Sequence, residues 1–171
     1  MQIGSLALSV ALVAAASLTA APAAAGPPPA APLTRVRAAD SRVASLMKAG
    51  YQKSPTFRRL VDELQRSDLI VYVAEVPCLP EPDAGAMQLA GRAGRQRYVR
   101  ISIKRVANPR LFIAAIAHEL QHARELAENP HVGDEASLEA LYREIGRPSC
   151  NGYETLAARQ TGDAVCRELE R

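Results

Sequence analysis

Asn108-Pro109-Arg110-Leu111-Phe112-Ile113-Ala114-Ala115-Ile116-Ala117-His118-Glu119-Leu120-Gln121-His122-Ala123 is the stretch that decides how this chain is read. Asn108 is a good helix cap, and Pro109 suits the first helical position, where no amide donor is needed. Phe112, Ile113, Ile116 and Leu120 then form an apolar stripe at helical spacing, and Asn129-Pro130 supplies a stop. His118 and His122 lie four apart on that helix, so their imidazoles can converge on one point. They sit mid-helix and partly buried, where an unpartnered ring costs free energy. Two neutral imidazoles from adjacent turns suit one Zn²⁺ ion, the expected cofactor. Glu119, one step round the helix, is placed to act as a base towards water rather than as a ligand.

Upstream, Leu69 to Val76 is β-branched and apolar on both faces, which predicts a central strand. Arg97 to Arg105 alternates, with Val99, Ile101 and Ile103 on one side and Tyr98, Arg100, Ser102 and Lys104 on the other. That pattern predicts a half-buried antiparallel strand near a sheet edge. Between them, the proline- and glycine-bearing stretch from Pro77 to Gly94 reads as a loop. Val36, Ala39, Val43, Leu46 and Met47 recur at helical spacing up to Gly50, a candidate stop. Ser54-Pro55 opens a second helix with Phe57, Leu60, Val61 and Leu64 on its apolar face. Downstream, Glu135 to Ile145 reads as a short helix ended by Gly146, Arg147 to Gly152 as a loop, and Tyr153 to about Arg171 as a last helix. The expected fold is α+β, mostly helical, with a small antiparallel sheet preceding the motif helix.

A catalytic zinc needs a third protein ligand and one open position. Glu154 is the candidate. It heads a stripe of Ala158, Thr161, Val165 and Leu169, and a carboxylate on an otherwise apolar or small-residue face points inward and needs a partner. Ala157 and Ala158 would let that helix approach the motif helix closely. The competitors are weaker: His131 follows the helix-ending Asn-Pro, and Asp163 lies on the other side of the last helix from Glu154. The long histidine motif of the metzincins is ruled out, because positions 125 and 128 are both Glu. Cys78 lacks the glutamate-glycine setting of the peptide deformylase ligand. Glu125 or Glu139 can accept the outer imidazole N–H, and Tyr153, Tyr142 and His131 are candidates to stabilise an oxyanion.

With His118-Glu119-x-x-His122 followed 32 residues later by Glu154, the chain resembles the gluzincin branch of zinc metallopeptidases. More narrowly, Ala117 to Ala123 together with Tyr153-Glu154-Thr155 resembles small exported bacterial zincin-like proteins. The resemblance covers the motif helix and the last helix, about a third of the chain. It implies a zincin-like metallopeptidase domain in which His118, His122 and Glu154 hold zinc and Glu119 is the general base. It also implies a peptide or protein substrate held on an edge strand, for which 97–105 is the candidate. Position 124, apolar in the extended zincin pattern, is Arg here. The rival readings are a zinc-binding domain without turnover and a helical structural protein carrying the motif incidentally.

All 39 charged side chains (21 basic plus 18 acidic) lie from Arg35 onward. Ile3 to Leu18 is apolar and is followed by small residues, so residues 1–25 read as a secretory signal cleaved after Ala25, with Ala23 the alternative position, and with export to the periplasm or beyond. No Lys or Arg precedes the apolar core, and an N-terminal membrane anchor is the alternative. The run falls short of the roughly 20 residues a span needs. Residues 26–34, with four prolines between Gly26 and Pro32, read as a stiff linker. The remaining 35–171 suffice for one domain. A net charge of +3 is too small to argue for nucleic-acid binding. Cys78, Cys150 and Cys166 allow one disulfide in three possible pairings.

Overall fold

A computed structural model describes residues 34–171. The expected signal segment, and all of the expected linker but Thr34, lie outside the described residues. Strands β1 (Val36–Ala38), β2 (Leu69–Val76), β3 (Gly85–Ala93) and β4 (Gln96–Lys104) form one sheet in the order β1-β2-β4-β3. Around it run helices α1 (Ser41–Lys53), α2 (Pro55–Leu64), α3 (Pro109–Ala127), α4 (Glu135–Ile145) and α5 (Leu156–Glu168). A small hairpin, β5 (Arg147–Ser149) and β6 (Gly152–Glu154), precedes α5. The α+β class and the sheet placed before the motif helix stand as expected. No helix among the described residues is long and apolar enough to cross a membrane.

Several expectations need correction. The sheet is mixed rather than antiparallel: β1 pairs β2 and β2 pairs β4 in parallel, and only β3 runs antiparallel to β4. The stretch from Pro77 to Gly94 is not all loop, because Gly85–Ala93 forms β3, joined to β4 by a turn in which Gly94 adopts a left-handed φ of 59°. Consequently β4 is an interior strand with partners on both sides, and 97–105 offers no free edge for a substrate. The outer strand beside it is β3. Val36 belongs to β1, not to the first helix, and Gly50 does not end α1, which continues to Lys53 with Ser54 as its C-cap. A Cβ on Gly50 would lie 2.8 Å from Ile113 and 3.2 Å from Phe57, so its glycine serves close packing.

The register explains where α3 sits. Val36, Val71 and Val99 align across the sheet with Leu89, and Ala38, Val73 and Ile101 align with Met87. These side chains form the inner face with Leu69 and Ile103, packed against Met47, Phe57, Leu60 and Val61 of the first two helices and Phe112, Ile116 and Leu120 of α3. The opposite face carries Tyr72 and Arg100 towards solvent. Gly85, paired with Ile103, occupies the next inward position in this register. It has no side chain, and that leaves room for a residue of α3.

Arg97 falls on the inner face yet is only 1% exposed. A buried guanidinium must have its donors satisfied. Its Nε and Nη2 donate to both carboxylate oxygens of Asp68 at 2.8 Å, and Nη1 donates to the carbonyls of Asn129 and Val132 at 2.9 Å. One side chain thus ties the start of β2 to the segment after α3. The Arg97 hydrogen bond holds the Asp68 carboxyl below its ordinary value of 3.8, although partial burial opposes the shift. A depressed carboxyl stabilises the fold above its unfolded pKa, and that contribution disappears as pH falls through the folded value. Asp68→Asn is therefore expected to lower stability at pH 7 by about 1–2 kcal/mol. Urea unfolding should show the gap between variant and wild type closing as pH drops below about 4.

Candidate metal centre

α3 is long enough, at 19 residues, to carry the histidines well inside its hydrogen-bonded body. Asn108 caps its N-terminus, with Oδ1 accepting from the Arg110 amide at 2.9 Å, and Pro109 takes the first turn, as the sequence predicts. The ring centroids of His118 and His122 are 5.1 Å apart. Glu154 faces both rings, its Oε2 3.3 Å from His118 Nε2 and its Oε1 3.8 Å from His122 Nε2. One ligand atom from each of the three residues lies within 4.8 Å of the others, and this His/His/Glu group can hold a metal ion.

Glu154 reaches this point by a route the sequence reading did not foresee. It ends β6, and α5 begins only at Leu156, with Thr155 as its N-cap. The inward direction is set by the hairpin and cap, not by a helical stripe. Of that stripe, Ala158 and Val165 are buried against the rest of the domain. The close approach of α5 to α3 depends on Ala158 and Gly162, whereas Ala157 is exposed. An added Cβ at Gly162 would lie 3.4 Å from the Ala114 carbonyl and 3.5 Å from His118 Cβ.

The surroundings fix one imidazole in a definite state. His122 Nδ1 lies 2.9 Å from Glu125 Oε2, and the other Glu125 oxygen accepts from Thr155 Oγ1 at 2.7 Å. An ionised carboxylate only accepts, so Nδ1 carries the proton and Nε2 presents its lone pair towards Glu154. Thr155 also caps α5 through the Ala158 amide, so a single hydroxyl couples Glu125, the helix start and the neighbouring Glu154. Tyr142 of α4 packs edge-on against the His122 ring at 5.2 Å and donates to the His122 carbonyl at 2.9 Å. Glu139, the other candidate acceptor, is exposed and pairs with Arg143 instead.

Burial, reinforced by the adjacent His122, pushes the His118 ring down to about 4, so it is neutral at physiological pH and able to coordinate. Burial opposes charge on His122, but the hydrogen bond it donates to Glu125 and the nearby carboxylates outweigh it and raise its pKa. Burial raises the Glu154 carboxyl, and it pushes Glu119 up to about 7, opposed by His122 and aided by Glu154 and Asp83. Glu154 Oε1 is buried without a hydrogen-bond partner. Three carboxylates and two imidazoles in a desolvated space are expensive to keep apart from a cation. Two nitrogens and one oxygen from neutral and anionic groups fit a borderline divalent ion such as zinc.

Glu119 Oε1 is 4.0 Å from His118 Nε2, and its residue is 6% exposed. Gly85 of β3 covers it so closely that a Cβ there would meet Glu119 Oε1 at 2.6 Å. Gly85 is a site residue that the sequence reading missed, because the glycines and prolines around it resemble a loop. Its one signal was Met87 and Leu89, two residues apart. Beside the group opens a cleft of about 1140 Å³, lined by β3, α3, α4, the hairpin and α5. Tyr142 and Tyr153 reach this cleft, and exposed His131 does not. Cys78, Cys150 and Cys166 are all free thiols.

No protein-family model, curated protein or solved structure matches this chain. The site therefore stands on its own geometry. Glu125→Ala removes the carboxylate that orients His122 and is expected to weaken metal affinity about 10- to 100-fold, measured by competition with a chromogenic chelator. Gly85→Ala is expected to leave metal affinity within a few-fold while displacing Glu119, visible as a changed Glu119 position in a crystal structure.

Proposed function

We propose that this protein is a zinc-dependent metallopeptidase in which His118, His122 and Glu154 hold the metal and Glu119 is the general base. The observation that carries this reading is the convergence of Glu154 on the paired imidazoles at the floor of an open cleft, with a second, non-ligating carboxylate alongside. A purely structural ion needs four protein ligands and no cleft, whereas a site with three ligands leaves room for water and substrate. Zinc, when bound, supplies Lewis acidity: it polarises a carbonyl oxygen and makes water nucleophilic near neutral pH.

The remaining work belongs to the chain. Glu119 takes the proton from the attacking water and delivers it to the departing amine. Gly85 and the start of β3 hold that carboxylate against α3, so its rotamer is limited by packing. Glu125 and Thr155 keep the His122 ring turned with Nε2 towards Glu154. Among the described residues β3 pairs only with β4, and its other edge can accept an extended peptide by strand addition. This role passes to β3 from the 97–105 strand. Tyr153, whose hydroxyl has only a long 3.4 Å bond from Arg143, is the available donor for a developing oxyanion, since Tyr142 already donates to the His122 carbonyl.

The test combines metal content with turnover of a mixed internally quenched peptide library. Wild-type protein should carry about one zinc per chain, and Glu119→Gln should keep zinc and fold while hydrolysis drops about 10²- to 10⁴-fold. Hydrolysis unaffected by Glu119→Gln contradicts the assigned base. Bound zinc with no hydrolysis of any library member leaves a metal-binding domain without turnover.

A further inference from the structure

The cleft beside the metal centre has two helical walls. α3 contributes Leu111, Ala114, Ala115 and His118, and α5 contributes Arg159, Gly162, Asp163 and Cys166, each set spaced as one face of a helix. The two helices run antiparallel, since Thr155 meets Glu125, Thr161 meets Gln121, and Arg110 pairs with Glu170. Gly162 lies against His118, so Arg159, one turn nearer the start of α5, sits towards the metal end of the groove. Leu111 and Cys166 lie towards the far end. The floor between is apolar and small.

Of the six charged residues lining the cleft outside the metal centre, three have partners, and the side chains of Glu135, Arg159 and Asp163 have none among the described residues. Lys104 pairs with Glu81, Glu139 with Arg143, and Asp83 accepts from Asn151 at 3.0 Å. Arg159 differs. Its backbone amide bonds the Thr155 carbonyl, but its exposed guanidinium has no ion-pair or hydrogen-bond partner among the described residues. Asp163, four residues on and on the same face, is not within ion-pair distance of it.

We propose that Arg159 anchors a carboxylate of the substrate in the groove between α3 and α5. This makes acidic peptides, or peptides ending in a free carboxylate near the cleaved bond, the substrate class. The proposal rests on the metallopeptidase reading for its substrate, and on the groove itself for the anion site. A guanidinium presents planar, paired donors that match a carboxylate. Arg159 is a specificity-determining residue: it makes no contact with the metal ligands that would position them.

The experiment uses Glu119→Gln protein, so that no probe is consumed, and reads fluorescence anisotropy with two pairs of labelled peptides. One pair is an amidated alanine peptide bearing a single aspartate, against its asparagine twin. The other is an all-alanine peptide with a free C-terminus, against its amide. At least one anionic probe should bind about ten- to a hundredfold tighter than its neutral twin. Adding Arg159→Gln should bring that ratio to within twofold, Arg159→Lys should keep part of it, and Asp163→Asn should not reduce it. The pair that responds tells an acidic side chain from a chain terminus. Equal binding within both pairs, a preference that survives Arg159→Gln, or no binding by any probe overturns the proposal. Zinc content measured on the same samples separates the two claims. Full zinc without charge preference removes the Arg159 anchor alone, and Arg159-dependent preference without zinc leaves the anion site and removes the hydrolytic reading.

Discussion

A carboxylate oxygen buried without a donor, opposite two imidazoles, is the constraint on which this account depends. Glu154 Oε1 has no hydrogen-bond partner among the described residues, and the two nearest ring nitrogens are turned towards the same carboxylate. Leaving a buried carboxylate oxygen without a partner costs free energy. A cation held between these three side chains would offset that cost. The rest of the domain can be read as scaffolding for that offset: Thr155 starts α5 and holds Glu125, Glu125 holds His122, and Tyr142 holds the backbone of the same turn.

The two halves of the centre come from elements that differ in rigidity. α3 is a 19-residue helix packed along the inner face of the sheet, and its histidines inherit that rigidity. Glu154 comes from a hairpin of three-residue strands, pinned at its tip by Asn151 donating to the Glu81 carbonyl and to Asp83. At the other end of α5, Glu168 accepts from Ser54 and Thr56 at the start of α2. The hairpin and α5 therefore hold Glu154 in place between two anchor points.

Much of this was legible in the sequence where side-chain periodicity and capping agreed. Asn108-Pro109, Ser54-Pro55 and the 135–145 segment with Gly146 announced their helices, because caps and prolines act locally. The motif helix announced its histidines for the same reason. Other features were set by distant contacts. β3 was hidden because half of its residues are small and its glycines suit packing and turns, so nothing local favoured a strand. That omission also misplaced the sheet edge, since β4 looks half-buried whether its neighbour is solvent or β3. Glu154 was singled out from a helical stripe it does not belong to, yet it does lie beside the two histidines. The signal that actually directs it, Thr155 as an N-cap bonded to a glutamate 30 residues earlier, is a tertiary one. Arg97 could not have been recognised as buried, because its partners lie 29 to 35 residues away.

The most direct test of the central claim is zinc affinity of Glu154→Gln beside wild type, by chelator competition, with circular dichroism to confirm that both are folded. The account predicts stoichiometric binding in wild type and a loss of at least about a hundredfold when the carboxylate becomes an amide. Equal affinity in a folded Glu154→Gln protein would contradict it, because the imidazoles would then be holding the ion without the residue around which the site is built.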